Sequence, residues 1–360
     1  PLADVALNAS FSSRMPRAGN ISFISQSGAL CTAVLDFATD KEFGFSKFIS
    51  IGNKADVDEL DLLRSLHEDP DTAVIMMYVE ELQRGPEFVA AVKEITGGDR
   101  PTPVLAIKSG RTSAGAEAAA SHTGSLAGSE AVYDAIFAQS GIIRVDSIDE
   151  LFDFGIAFAY KNENALGKLR RKVPQGNRVA IVTNAGGPGI VATDMTVSSG
   201  LELAKFNEDT IEALVSHLPA TANVNNPVDV IGDAAHDRYE NALAAVIKDE
   251  GVDGALVILT PQSMTNAIGT AEAIVRIARR SHTPILSCFM CIIDVSSGVK
   301  YLKNNGVPVY RFPENAAKAF GAVYRYSNWL NRQDLAPYRT QHDKAAAAKI
   351  IKESLAAGKN

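Results

Sequence analysis

Residues 19–30 read Gly-Asn-Ile-Ser-Phe-Ile-Ser-Gln-Ser-Gly-Ala-Leu, an apolar strand followed at once by a turn of small polar residues. From Leu30 onward, apolar residues recur at helical spacing, with Leu30, Val34 and Phe37 on one face. A strand, a Ser/Gly turn and a helix start bring backbone N–H groups together, and the helix dipole adds partial positive charge there. This order predicts an α/β unit with an anion site at the turn.

The same alternation continues along the first half of the chain. Apolar runs at 48–51, 73–79, 103–107 and 142–145 are typical of buried strands, and helical patterns separate them. Strands that alternate with helices over short connections predict a parallel, doubly wound sheet. Glu80 and Glu81 follow the second of these runs directly, which places them either at the ligand-binding edge of the sheet or in a solvated loop.

The plan then starts again. Residues 176–187 read Gly-Asn-Arg-Val-Ala-Ile-Val-Thr-Asn-Ala-Gly-Gly, which repeats the pattern of residues 19–30. Further strands are predicted at 254–259 and 284–290, but no histidine-containing segment follows the last of them. We therefore expect a duplicated fold that keeps its chemistry in the first copy.

Composition along the chain predicts where the domains begin and end. The first domain is expected over residues 19–162 and the second over 176–335, with a charged, polar linker over 161–175. Residues 1–18 are polar and proline-punctuated, and we expect them to be a linker from an upstream domain. Residues 336–360 contain an Ala/Lys-rich helical pattern, and we expect a linker helix toward a further domain.

Overall composition excludes several classes of protein. The chain has 360 residues, enough for two domains with full cores, and its 46% hydrophobic and 21% charged residues are typical of a soluble globular protein. A net charge of −7 argues against a nucleic-acid or membrane partner. The histidines lack the spacing of a metal site, so we expect no metal. Three cysteines are too few for a disulfide framework, which favours a cytoplasmic location, and we expect Cys288 and Cys291 to be small core residues.

Residues 109–128 read Ser-Gly-Arg-Thr-Ser-Ala-Gly-Ala-Glu-Ala-Ala-Ala-Ser-His-Thr-Gly-Ser-Leu-Ala-Gly. So many glycine, alanine and serine residues cannot pack a core, and we expect a mobile or ligand-shaped loop. The single imidazole, His122, has only small neighbours and is open to approach from several sides. A lone loop histidine is most often solvated or bonded locally, so its role depends on its context.

Three motifs supply that context, and together they resemble the NDP-forming acyl-CoA synthetases. They are the run at 15–29, Met-Pro-Arg-Ala-Gly-Asn-Ile-Ser-Phe-Ile-Ser-Gln-Ser-Gly-Ala, the tripeptide Ser109-Gly110-Arg111, and Ser-His-Thr-Gly-Ser-Leu-Ala-Gly at 121–128. This family contains the ADP-forming acetyl-CoA synthetases and is related to the succinyl-CoA synthetase alpha chain. The resemblance extends to Gly358 and implies two middle, flavodoxin-like domains. It also implies a CoA-binding domain upstream and an ATP-grasp domain or subunit as partner.

The resemblance implies an acid–thiol ligase that converts acyl-CoA, phosphate and ADP reversibly into acid, CoA and ATP, through acyl phosphate and phosphohistidine. His122 matches the phosphorylated histidine, and Glu80 matches the glutamate that orients its ring, with Glu81 as the second choice. Lys108 and Arg111 either add charge to the site or are solvated. The residues implied in phosphate binding are Ser27, Gly28, Thr123 and Gly124.

The implied ligands are CoA, phosphate and Mg-ADP or Mg-ATP, reached as substrates through the flanking domains, with no tightly bound cofactor. A small carboxylic acid and its acyl phosphate complete the set, and an oligomer is expected. Residues 29–32 stand where succinyl-CoA synthetases carry a tyrosine, which favours acetate or another short or aryl acid. Two alternatives stay open, the regulatory domain pair of a protein lysine acetyltransferase and a non-catalytic assembly module.

Overall fold

A computed structural model describes residues 16–54, 56–123, 129–159, 161–163, 169–332 and 343–357. The chain divides into a compact unit that runs to Leu330 and a second unit that begins at Asn331. Within the described residues, no helix is both long enough and apolar enough to cross a lipid bilayer.

The first half of the chain alternates strands and helices as predicted. In chain order the elements are β1 (Arg17–Ser25), α1 (Gly28–Asp40), β2 (Gly44–Ser50), α2 (Glu59–Glu68), β3 (Val74–Val79), α3 (Gly85–Gly97), β4 (Val104–Lys108), α4 (Ser113–Thr123), α5 (Glu130–Ser140), β5 (Ile143–Val145) and α6 (Ile148–Ala159). The strands pair in parallel in the order β2-β1-β3-β4-β5. In this doubly wound order the direction of winding reverses between β1 and β3, and ligands bind at the carboxyl edge beside that point.

A short antiparallel pair, β6 (Lys161–Glu163) and β7 (Leu169–Arg171), follows where a plain linker was expected. The second half then contains β8 (Arg178–Thr183), α7 (Gly186–Ser198), β9 (Glu202–Leu203), α8 (Glu208–His217), β10 (Val228–Asp229), α9 (His236–Lys248), β11 (Gly254–Leu259), α10 (Ala267–Arg280), β12 (Ile285–Phe289), α11 (Ser296–Asn304), β13 (Val309–Tyr310) and α12 (Pro313–Leu330). Its sheet has the order β10-β8-β11-β12-β13, with β9 paired to the start of β8. Because β9 and β10 together take the place of β2, both sheets share one winding order, and the predicted duplicated α/β fold is confirmed.

The two sheets are joined through α12. Its Tyr326 packs edge-on against Phe158 of α6, with ring centroids 5.5 Å apart, and donates a hydrogen bond to the Thr96 carbonyl at 2.9 Å. Trp329 Nε1 donates to the hydroxyl of the same threonine at 3.0 Å. One continuous cluster of buried apolar side chains, including Phe152 and Phe320, contains members from both halves. The first unit therefore has a shared core.

The expectation of a loop throughout residues 109–123 was wrong, because α4 occupies Ser113–Thr123. Thr112 begins this helix, since its hydroxyl accepts the N–H of Gly115 at 3.0 Å and its carbonyl accepts the N–H of Ala116 at 2.7 Å. Alanine is the strongest helix former, and the alanines of this segment outweigh its glycine. Residues 124–128 lie outside the described residues.

The expectation for the two late cysteines was half right. Cys288 is fully buried in β12, and burial raises the pKa of its thiol well above the ordinary value. Cys291 is exposed just beyond the strand, with a left-handed φ of 85°. Only Cys288 is therefore a core residue.

The second unit contains one helix, α13 (Lys344–Ala356), among its described residues. Asp343 caps it, since its carboxylate accepts the N–H groups of Ala345 at 3.1 Å and Ala346 at 3.0 Å. An aspartate at this position satisfies amides that have no partner within the helix.

Candidate active site

Three loops meet at the carboxyl edge of the first sheet, where its winding reverses. The parallel register pairs Ser25 of β1 with Tyr78 of β3, and Val79 of β3 with Lys108 of β4. Gln26, Glu80 and Ser109 therefore each follow directly after strand positions that are aligned at this edge. The predicted residues Ser27, Gly28 and Glu80 are brought to the same side of the sheet.

The start of α1 offers amide donors to solvent. Ser27 is the N-cap, and its hydroxyl accepts the N–H of Leu30 at 3.3 Å. Its own N–H donates to the Ser25 hydroxyl at 3.0 Å, so this amide is already used. Gly28 and Ala29 are exposed, and their N–H groups have no acceptor within the part of the chain that the structure describes. The amides available to an anion are therefore those of Gly28 and Ala29 rather than that of Ser27.

Gln26 connects this turn to the end of β3. Its Oε1 accepts the N–H groups of Glu80 at 2.7 Å and Glu81 at 3.0 Å, and its Nε2 donates to the Glu81 carbonyl at 2.9 Å. Sequence reasoning did not single out Gln26, although its position inside the strand-to-helix turn was a usable signal. The backbone at Glu80 is thus fixed to the start of α1.

The two candidate carboxylates differ in their partners. Glu81 Oε1 accepts a hydrogen bond from Gln83 Nε2 at 3.3 Å. The half-buried Glu80 carboxylate receives no hydrogen bond from any residue that the structure describes. Glu80 is therefore the better placed of the two to accept a proton or a hydrogen bond from a further group.

Lys108 is buried, so the solvated alternative was wrong for this residue. The residue is only 2% exposed. Its ammonium donates to the Ser109 carbonyl, and Nζ lies 4.5 Å from the centre of the Tyr133 ring. Burial lowers the pKa of Lys108, while the carboxylates of Glu130 and Glu80 act in the opposite direction. A cation is thus held inside the edge at which Glu80 lies.

Arg111 pairs with carboxylates of its own domain. Its Nε lies 3.0 Å from Glu130 Oε1, and its terminal nitrogen contacts Asp146. The hydrogen bonds that the guanidinium donates to these two carboxylates raise its pKa. Arg111 therefore anchors the beginning of the segment that contains His122.

His122 is the next-to-last residue of α4, and its side chain lies outside the described part of the structure. Thr123 ends the same helix, again with its side chain outside the description, and Gly124 lies outside the described residues altogether. Within the described residues, no three His, Cys, Asp or Glu side chains gather closely enough to hold a metal ion.

The second domain repeats the turn in detail. Ser25 Oγ donates to the Ser27 carbonyl at 2.9 Å, and Thr183 Oγ1 donates to the Ala185 carbonyl at 3.0 Å. Asn184 takes the place of Gln26, since its Oδ1 accepts the N–H of Thr260 at 2.9 Å and its Nδ2 donates to the carbonyl of the same residue at 2.8 Å. One side-chain amide thus links the ends of β1 and β3 in the first sheet, and another links the ends of β8 and β11 in the second.

Comparison with known proteins matches both halves of the chain to one group of enzymes. The family model of the succinyl-CoA ligase like flavodoxin domain matches residues 18–158, and that of the Ligase-CoA domain matches residues 179–333. The chain is 40% identical over 324 residues to acetate–CoA ligase [ADP-forming] I of Archaeoglobus fulgidus. That match covers 90% of this chain and 44% of the relative, so the chain spans less than half of that protein.

Two further matches cover more of the related protein. The alpha subunit of acetate–CoA ligase [ADP-forming] II of Pyrococcus furiosus is 38% identical over 327 residues, a match that covers 89% of this chain and 68% of the subunit. A solved structure of dinucleotide forming acetyl-coenzyme A synthetase 1 of Ca. Korarchaeum cryptofilum, in complex with phosphate and ADP, superposes with a TM-score of 0.81 at 35% identity, covering 90% of this chain and 69% of that one. The resemblance read from the sequence motifs is confirmed, and the chain belongs to the ADP-forming acetate–CoA ligase family of acyl-CoA synthetases.

Proposed function

We propose that this chain is the phosphoryl-carrying core of an ADP-forming acyl-CoA synthetase. The observation that carries the proposal is the link through Gln26, which joins the open N-terminus of α1 to the backbone of Glu80. An anion-binding helix start and an available carboxylate thus share one edge of the sheet. The same domain contributes His122.

The proposed reaction has three transfers. An oxygen of phosphate attacks the thioester carbonyl, the C–S bond breaks, and CoA leaves as the thiolate with acyl phosphate formed. A ring nitrogen of His122 then attacks phosphorus, and the P–O bond to the acyl group breaks to release the carboxylate. Finally a terminal oxygen of ADP attacks phosphorus, and the P–N bond breaks to restore the imidazole.

The residues of the site have separate roles in this scheme. Glu80 accepts the N–H of the second ring nitrogen of His122, which fixes the tautomer and stabilises the charged ring of the phosphorylated state. The N–H groups of Gly28 and Ala29, together with the dipole of α1, bind the phosphoryl oxygens. Ser27 caps the helix that presents them, and Thr123 and Gly124 complete the phosphate site beside the histidine.

The remaining parts of the reaction belong to partners. We propose a CoA-binding domain and an ATP-grasp domain or subunit in a cytoplasmic oligomer, with CoA, phosphate and Mg-ADP as substrates and no tightly bound cofactor. Two relatives are named alpha subunits, and the similar solved structure holds phosphate and ADP, which supports this assignment. The carboxylic acid is acetate or another short or aryl acid.

The test uses the complete enzyme, meaning this chain together with the CoA-binding and nucleotide-binding domains. We expect acetyl-CoA and ³²P-phosphate to label the protein, with label that is stable in base and labile in acid, as a phosphohistidine is. The label disappears in His122→Asn. Label that persists in His122→Asn contradicts the assignment, and acetyl transfer to a target lysine without any phosphoenzyme favours the acetyltransferase alternative.

A further inference from the structure

A buried ion pair contacts the backbone of Glu81, the residue next to Glu80. Lys54, in the loop after β2, places its Nζ 2.8 Å from Oε1 of Glu59, the first residue of α2, and the two side chains are only 5% and 3% exposed. Burying both charges costs about as much as their attraction returns, so such a pair contributes little net stability. Its presence here therefore needs another explanation.

The ion pair is hydrogen-bonded to the Glu81 carbonyl and to the side-chain amide of Gln26. Lys54 Nζ donates to the Glu81 carbonyl at 3.0 Å, and the Glu59 carboxylate accepts from Gln26 Nε2. Gln26 uses its second Nε2 hydrogen on the same carbonyl and its Oε1 on the N–H groups of Glu80 and Glu81. Every donor and acceptor position of this amide is occupied, which fixes its orientation.

The second domain shows that the fold does not need this ion pair. Asn184 closes the corresponding edge with two hydrogen bonds to the Thr260 peptide, and no ion pair touches it within the described residues. The first domain uses a longer amide and adds Lys54 and Glu59. The two copies have the same sheet order and the same turn. The buried ion pair is found in the copy that contains His122.

Lys54 also adopts a backbone conformation that lysine rarely takes. Its φ is 57°, in the left-handed region that favours glycine. The bonds from its ammonium to Glu59 and to the Glu81 carbonyl hold the residue there. Strain of this kind persists where the surrounding structure requires a particular geometry.

We infer that Lys54 and Glu59 are positioning residues for Glu80 in phosphoryl transfer. They clamp the Gln26 amide and the Glu81 carbonyl, and so hold the Glu80 backbone at the distance from the α1 N-terminus that the phosphohistidine requires. This inference rests on the proposed function, because it assumes that Glu80 orients His122. It adds two residues that touch neither substrate nor imidazole.

The test removes the pair without leaving one buried charge alone. The double variant Lys54→Met/Glu59→Gln in the complete enzyme should fold, since both charges are lost together. We expect the rate of phosphoenzyme formation, measured by rapid quench, to fall about tenfold or more. The KM for ADP should stay within about twofold of the wild-type value. The control is Arg178→Gln/Asp253→Asn, which removes an ion pair of 2.7 Å between a 45% exposed arginine and a buried aspartate at the amino end of β8 and should leave the rate unchanged.

The decisive measurement repeats the double variant in a Glu80→Gln background. If the pair acts through Glu80, its removal there changes the rate less than about twofold, because residues that act as a unit are not additive. If the two losses multiply, or if the double variant forms phosphoenzyme at the wild-type rate, the positioning role is wrong. If the wild-type enzyme is never labelled on His122, the proposed function itself is wrong. Failure of the positioning role and failure of the proposed function are therefore distinguished.

Discussion

The guanidinium of Arg111 lies 3.0 Å from the carboxylate of Glu130, and this contact joins the two ends of the segment that contains His122. Arg111 precedes α4, and Glu130 begins α5 nineteen residues later. Glu130 is held in turn by Arg144 of β5, at 2.5 Å. The base of the histidine segment is therefore tied to the edge strand of the first sheet.

Loss of this contact should slow phosphoryl transfer modestly. Arg111 is 41% exposed and its partners Glu130 and Asp146 are 33% and 69% exposed, so each of its two ion pairs stabilises by no more than about 1 kcal/mol, and we expect Arg111→Gln to slow phosphoenzyme formation by about fivefold or less. High salt should slow the wild type and have little effect on the variant, because it screens the same pair. The control is Arg276→Gln, which breaks an ion pair with Glu240 of similar exposure, 47% and 37%, in the second domain. Equal loss in both variants would contradict a specific role.

The amide of Gly28 should bind the phosphoryl group, and proline at this position tests it directly. Gly28 is the first residue of α1, where proline is well tolerated, and Ser27 before it is already extended at φ −101° and ψ 115°. Gly28→Pro therefore removes one N–H donor and should keep the helix. We expect a loss of phosphoenzyme formation of about a hundredfold, as for removal of one oxyanion donor.

The comparison variant is Gly28→Ala, which keeps the N–H. A Cβ at this position would meet only the Ser50 hydroxyl, at 4.0 Å, so the protein itself accommodates it. We expect Gly28→Ala to retain most of the activity that Gly28→Pro loses. Equal rates in the two variants would show that the Gly28 N–H does not bind the phosphoryl group.

The fold was predictable because both of its signals are local. The apolar runs ending at Val79 and at Val182 are short and continuous, as buried parallel strands are, and the small-residue turns stand at fixed places between strand and helix. Two glycine-bearing turns at corresponding positions also revealed the duplication. The prediction from composition was wrong for α4. The lack of large apolar residues there indicated a loop, although alanine itself favours a helix.

The candidate site was predictable only at positions that follow a strand directly. Glu80 does so, Ser27 comes one residue later than such a position, and the edge of the sheet places the two together. The partners Lys54 and Glu59 were not predictable, because a buried ion pair needs a loop conformation and a three-dimensional contact that no periodicity encodes. The two alternatives for Lys108 stayed open for the same reason, since only its packing against Tyr133 in three dimensions shows that its ammonium is buried.

Buried Lys172 should make stability rise with pH. Only 8% of this residue is exposed, its ammonium donates to the Ala278 carbonyl, and burial lowers its pKa to about 8. Its pKa in the unfolded chain is about 10.4, so between these values the unfolded chain binds the proton and the folded one does not. The free energy of unfolding should therefore increase by roughly 3 kcal/mol through this range.

Chemical denaturation from neutral pH to about pH 10 checks this, with Lys172→Met beside the wild type. The variant should be more stable than the wild type at neutral pH, and its stability should rise less steeply with pH, because it carries no buried ammonium. Lys205→Met, at an exposed lysine, should follow the wild type. Parallel pH profiles for wild type and Lys172→Met would show that folding does not lower the pKa of Lys172.

Neutralising Glu80 should be the most damaging change at the sheet edge short of removing His122. Glu80→Gln keeps the backbone bond from Glu80 N–H to Gln26, 2.7 Å long, but removes the charge that stabilises a protonated or phosphorylated imidazole. We expect phosphoenzyme formation to fall by about two orders of magnitude or more. The Glu81 carboxylate already accepts a hydrogen bond from Gln83. The fold-loss of phosphoenzyme formation in Glu81→Gln should therefore be less than a tenth of that in Glu80→Gln. The reverse order, measured by rapid quench with labelled phosphate, would move the role of orienting His122 from Glu80 to Glu81.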